Sequence, residues 1–173
     1  MFVLDDPILY QAIVSGLFMG GIYILVSMGV TLTYGIMDMI NFAHGSFLML
    51  SMYTGFWIWR LWQIDPYLSL PIAAALFFTI GLLLQKNLLQ KVLDSGVLSS
   101  QFLLTFGLML LIENTAVLVW HHDQRAVMTS YTLTVFRPWG MAILFPLSVA
   151  FVVSLTVSGI FHLFVNKTWT GLA

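Results

Sequence analysis

Residues 8–64 are apolar or weakly polar almost throughout, broken only by Asp38, His44 and Arg60. As one straight helix they would extend about 85 Å, against roughly 30 Å of bilayer hydrocarbon, so the segment has to turn back. The natural break is residues 34–45, which collect Gly35, Asp38, Asn41, His44 and Gly45. Asp38 or Asn41 is suited to cap the following helix, and the two glycines permit backbone that a span interior does not. This pattern predicts a first span over 9–33 and a second over 45–62.

Arg60, Gln63, Asp65 and Pro66 then form a polar end. Pro71 is placed in the first turn of a third span, 68–84, where a missing N–H costs little. Residues 85–101 hold Lys86, Lys91 and Asp94 and are expected to close that span. A fourth follows over 102–120. The connection 121–140 is the longest polar stretch, and the weak alternation of residues 131–136 suggests a short surface strand or hairpin. A fifth span is predicted over 141–165. The fold class expected is all-α, a polytopic transmembrane helical protein of about five spans in a single transmembrane domain over 1–173.

Composition supports this reading. The chain of 173 residues is 60% hydrophobic and 8% charged, where a soluble domain carries roughly 25% charge. Its mean hydropathy of +0.98 comes from long tracts, not from a thinly spread excess. Trp57, Trp59, Trp62, Tyr67, Trp120, Trp139 and Trp169 lie near predicted span ends, where an amphipathic ring is best placed. Asp5 and Asp6 precede the first tract with no positive n-region, so the start does not read as a cleavable signal peptide. The six basic residues divide evenly between the two faces, so the positive-inside rule leaves orientation open.

Several chemistries are excluded. With no cysteine there is no disulfide, thiolate metal site or cysteine nucleophile. The net charge of -1 gives no reason to expect nucleic acid as a partner. No P-loop, serine elbow, H-E-x-x-H or paired-carboxylate site occurs, so the chain is not expected to be an enzyme, and no cofactor is expected. His121, His122 and Asp123 are consecutive and lack a spaced fourth ligand, so no metal site is expected there. Asn166-Lys167-Thr168 matches a glycosylation acceptor, a short pattern that recurs by chance.

Three groups remain as candidates. Gly16 and Gly20 form a G-x-x-x-G pair followed by Gly21, suited to close helix packing in lipid. Asp38, Asn41 and His44 recur every three residues and would share one face of a helix. They serve either as a polar site at membrane depth or as the hydrated caps of a tight interfacial turn. Glu113 and Asn114 lie deep in the fourth span, where a carboxylate costs several kcal/mol unless paired or protonated. They fit an interhelical polar contact, with a substrate-path or gating role as the sharper alternative.

Residues 16–50, GLFMGGIYILVSMGVTLTYGIMDMINFAHGSFLML, resemble the N-terminal part of the high-affinity branched-chain amino acid ABC transporter permeases, the LivH-type inner-membrane subunit. The tract Ile40-Asn41-Phe42-Ala43-His44-Gly45 carries most of the resemblance, and residues 105–120 and 167–173 extend it. The chain departs from the pattern at Ser46, where the family commonly has an acidic residue, and in a less basic 85–101 loop. Relatives continue for roughly 110 further residues or more, so the chain is similar to the N-terminal portion of a permease, apparently truncated relative to the family. The resemblance implies a multi-pass protein of the bacterial inner (plasma) membrane. Its partners would be a second permease subunit, two cytoplasmic ATPase subunits, a periplasmic substrate-binding protein and the lipid bilayer. It also implies that Lys86, Lys91 and Lys167 face the cytoplasm. A channel-like or ion-coupled carrier using Asp38, His44 and Glu113, and a permease fragment without transport of its own, stand as alternatives.

Overall fold

The computed structural model describes residues 7–94, 96–121, 123–137 and 142–167, with backbone alone for Pro7, Ile36, Met37 and Asn166. Asp5, Asp6, His122, Trp139, Gly140, Met141, Thr168 and Trp169 lie outside the described residues, as does most of the 167–173 tail. The helices are α1 (Pro7–Met37), α2 (His44–Trp62), α3 (Pro66–Leu84), α4 (Gln90–Leu93), α5 (Leu98–Trp120) and α6 (Phe145–Lys167), and a two-stranded ribbon pairs β1 (Val135–Phe136) with β2 (Ile143–Leu144). The architecture is all-α, that of a polytopic membrane protein. Among the described residues, four segments, Ile8–Gly35, Pro66–Leu93, Leu98–Trp120 and Phe145–Val165, are long and apolar enough to cross a membrane. The helix α2 falls outside that set because His44, Arg60 and its interfacial tryptophans dilute a 19-residue stretch.

Large apolar side chains face outward far more than in a water-soluble domain. Large apolar residues such as Leu103, Phe78 and Leu118 are exposed, while Ser46, Ser69, Gln101, Thr105 and Ser154 are buried. In lipid, Leu gains nothing by leaving the surface, whereas small and polar side chains allow close helix approach and need partners. Hydroxyls of Thr31, Thr54, Thr79, Ser154 and Thr156 each donate to the carbonyl four residues back in their own helix. That local bond satisfies them without another helix.

Two compact units emerge. One joins α1 as far as Leu32 with the chain from Met128 onward, and the other runs from Thr33 to Val127. In the first, Phe18 meets Phe151 edge-on at 4.8 Å between ring centroids. Gly21, one helical turn further, is buried, and a Cβ there would run into the Phe151 ring. The Gln11 amide forms a two-way bond with Ala142, donating from Nε2 to its carbonyl (2.6 Å) and accepting from its N–H (2.7 Å). This clamps the chain just before β2. The ribbon is antiparallel, with Val135 opposite Leu144 and Phe136 opposite Ile143.

In the second unit the reversal after α1 differs from the expected glycine break. Gly35 lies inside α1 and Gly45 inside α2. The left-handed residue is Asp38, at φ 49°, a conformation that Asp tolerates through its short polar side chain. Its N–H still bonds to the Tyr34 carbonyl at 2.9 Å, closing α1. Residues Asp38, Asn41 and His44 therefore do not share a helical face, because the helix ends before Asn41 and restarts at His44.

Two further expectations are corrected in the third helix. Its first turn is opened by Pro66, with the Asp65 side chain accepting from the Tyr67 N–H at 2.9 Å; Pro71 lies inside the helix. Nor does residue 84 end the helix. It continues through a π-helical turn, Gln85–Leu89, into α4, since Gln, Lys and Leu are good helix formers even where they cease to be apolar. The helix closes after Leu93, with Asp94 in a turn and Gly96 at φ 66°. At the other end of the chain, Ile143 and Leu144 are strand, and α6 begins at Phe145.

The Gly21 contact yields a test. Gly21→Leu is expected to destabilise the α1–α6 contact by about 1–3 kcal/mol, the usual cost of overpacking, and to lower the melting temperature of the purified chain in detergent. Gly16→Leu should leave it unchanged, since nothing lies within 4 Å of a Cβ at that position. Equal melting temperatures for the two variants would refute this packing role.

Candidate functional site

The helices α2 and α5 pack side by side and run in the same direction. Three contacts define their register. The Thr105 hydroxyl lies 3.4 Å from the Ile40 carbonyl, the Ser46 hydroxyl donates to Glu113 Oε1 at 3.0 Å, and Tyr53 stacks on Trp120 at 4.4 Å between centroids and 12° between planes. The sequence separations of 65 and 67 in the first two show an almost constant offset, as two parallel helices of equal rise require. The α5 face that makes this seam is Gln101, Thr105, Ile112 and Ala116, its buried residues, spaced to fall on one stripe of a helix.

Each candidate residue can now be placed. Asn41 organises the turn: its Oδ1 accepts from the Ala43 N–H at 3.0 Å, and its carbonyl accepts from the His44 N–H at 3.2 Å. Phe42 then lies edge-on against Phe102 and Phe106, with Met39 and Ala43 buried beside it in the turn. His44 is the first residue of α2 and half-buried, Gly45 follows in its first turn, and Asp38 is exposed at the end of α1. The turn thus docks on the start of α5 chiefly through apolar contacts, with Asn41 setting its backbone.

Glu113 and Asn114, adjacent in sequence, part company in space. Glu113 reaches across to Ser46, which is only 3% exposed, whereas the Asn114 amide donates to the Leu110 carbonyl of its own helix at 2.7 Å. Ser46 is the donor that meets Glu113. Among the described residues, a Cβ added at Gly16 or Gly20 would meet nothing within 4 Å, while Gly21 is the member of that cluster that is closely packed.

Beside the Ser46–Glu113 bond opens a cavity of about 560 Å³, within the roughly 300–1,000 Å³ typical of small-molecule sites. Its α2 wall is Met49, Met52, Tyr53 and Phe56; α5 adds Glu113, Ala116 and Val117; and His121, Asp123, Gln124 and Arg125 border it beyond the helix end. The Arg125 guanidinium sits 5.7 Å from the Phe56 ring centroid and 5.4 Å from that of Trp57, a cation–π arrangement that fixes its position. Among the described residues no cluster of His, Asp and Glu is arranged to hold a metal. What the cavity offers is an apolar wall, the oriented Glu113 carboxylate and a polar border of His121, Asp123, Gln124 and Arg125, which suits noncovalent binding.

Gln11, Tyr53 and Arg125 were not singled out from sequence, and Ser46 was noted only as a departure from the family pattern, not as a partner of Glu113. Gln11 left a signal, an amide inside an otherwise apolar tract. Ser46 and Arg125 left none, because their roles depend on partners that only the folded register supplies.

The Ser46–Glu113 bond predicts a measurable coupling. In a double-mutant cycle on stability, Ser46→Ala and Glu113→Leu should be non-additive by about 0.6–2 kcal/mol, the range found for interhelical hydrogen bonds in membranes. Strict additivity would show that the bond does not join α2 to α5.

Comparison with known proteins agrees with this architecture. Residues 12–173 match the family described as "Branched-chain amino acid transport system / permease component". The chain is 26% identical over 126 residues to the high-affinity branched-chain amino acid transport system permease protein BraD of Pseudomonas aeruginosa, covering 69% of this chain and 41% of that one. It is 40% identical over 57 residues to the corresponding permease proteins LivH of Salmonella typhimurium and Escherichia coli, covering 32% of this chain and 18% of theirs. The matched regions thus span less than half the length of these relatives. No solved structure matches. A match over nearly the whole chain, on a multi-span helical membrane protein, shows that the chain belongs to the family of branched-chain amino acid transport system permease components.

Proposed function

We propose that this chain is a membrane-spanning permease subunit of an ABC importer in the inner (plasma) membrane, forming part of the path taken by branched-chain or related hydrophobic amino acids. The observation that carries this reading is the family match over residues 12–173. On it, ATP hydrolysis belongs to two separate cytoplasmic subunits, and a periplasmic binding protein delivers the solute. A second permease subunit completes the path, and the assembly alternates between outward-open and inward-open states. The permease supplies a route and a conformational switch, with no covalent chemistry.

The sequence features have places in this reading. Gly16 and Gly20 present a small face on which, among the described residues, a Cβ would meet nothing within 4 Å, and we assign it to packing against the second permease subunit. The Asp38–His44 turn and the polar run from Gln85 to Asp94 lie on the cytoplasmic side, where the ATPases act. Glu113 and Asn114 serve the polar seam of α5, one across to α2 and one along its own helix.

The decisive experiment is affinity purification of the native membrane complex through a tag on this chain. Two ATPases and a second permease should co-purify. Gly20→Leu should deplete the second permease without lowering the melting temperature of the chain itself. Leucine uptake by cells carrying the complex should stop when ATP is exhausted and persist when the membrane potential is collapsed. Uptake that survives ATP depletion but follows the potential would overturn the importer in favour of an ion-coupled carrier. Recovery of the chain with no ATPase would overturn it in favour of a permease fragment that does not transport.

A further inference from the structure

We infer that the cavity between α2 and α5 is a binding site for the ammonium end of a solute with an apolar body, with Glu113 as its counter-ion. The inference deepens the reading of the chain as an amino-acid permease and rests on it. It starts from the Ser46–Glu113 bond. Because the Ser46 hydroxyl holds Oε1 at 3.0 Å, the orientation of the carboxylate is set, and among the described residues Oε2 has no hydrogen-bond or ion-pair partner. Glu113 is exposed and lines the cavity.

A carboxylate inside a transmembrane helix is costly unless a cation or a proton offsets it. The cation that borders the same cavity, Arg125, is held over the rings of Phe56 and Trp57, beyond the end of α5. Glu113 lies about 10 Å along the axis before that end. Arg125, which shares that border with His121 and Asp123, is therefore placed toward a ligand carboxylate at the mouth and not beside Glu113. The walls between them, Met49, Met52 and Phe56 among them, are apolar, and the two methionines adapt to side chains of differing shape. An ammonium on an apolar body satisfies both features: its charge completes Glu113, and its hydrocarbon replaces water against Met and Phe.

Three ligands separate this from other readings. With the tagged complex in lipid nanodiscs, radiolabelled leucine should bind. Isopentylamine, which is leucine without its carboxylate, should displace it. 4-Methylpentanoate, which is leucine without its ammonium, should displace it poorly. Glu113→Gln, which keeps an acceptor for Ser46, should weaken leucine roughly tenfold or more, as expected for a lost charged hydrogen bond, and abolish the preference for the amine over the acid. Glu113→Asp should preserve that preference, excluding simple misfolding. Unchanged affinity and selectivity in Glu113→Gln would overturn the site, as would absence of leucine binding to a complex that still contains its ATPases. That last outcome leaves the importer standing, whereas selective binding without any ATPase would sustain the site and sink the importer.

Discussion

Hydrocarbon offers no hydrogen bonds, and this deficit governs the whole chain. A polar group carried into it has to find a partner within the protein or cost several kcal/mol. The molecule answers in three ways. Hydroxyls fold back on their own helix, as in Thr54 to Leu50 and Ser154 to Ala150. The amide of Gln11 pairs with exposed backbone at Ala142. Ser46 and Glu113 satisfy each other across two helices. The third answer also fixes which helices touch and in what register, so the architecture around the cavity follows from solving a solvation problem.

That arrangement explains why small and polar side chains share the interior with Met39, Phe56, Ile58 and Ile112. The closest approaches occur at Gly21 against Phe151, at Gly55 beside Ser69 and along Thr105, Ile112 and Ala116 of α5. Many Leu, Phe and Val side chains, Leu103, Phe78 and Val152 among them, are left to the lipid. A cavity lined by Met and Phe beside such a seam is then the exception, a place where apolar side chains face space instead of acyl chains.

Much of this was legible in the sequence. Long apolar tracts located the helices, because hydropathy over some 20 residues is a direct consequence of bilayer thickness. Boundaries were less legible. Pro71 looked like the helix opener because the apolar run begins near it, yet Asp65 and Pro66 are the residues with capping chemistry. Residues 85–93 looked like a loop because they are polar, although polarity marks the membrane edge and not the helix end. The Asp38 turn was expected of glycines, whereas an aspartate adopts the left-handed backbone and both glycines stay helical. The Ser46–Glu113 pair was beyond reach, since a partnership across 67 residues has no periodic signature in a single chain.

The parallel run of α2 and α5 has an electrical consequence. Antiparallel neighbours cancel their macrodipoles, but here both partly negative C-termini, at Trp62 and Trp120, lie at one end. Each end carries its own arginine: Arg60 sits in the last turn of α2, and Arg125 places its Nη2 3.5 Å from the Trp120 carbonyl. The two guanidinium groups act as counter-charges to the carbonyl ends of the two helices, and Arg125 also borders the cavity. They allow two aligned helix dipoles to lie side by side and leave that face of the molecule less negative than its carbonyl ends alone would make it.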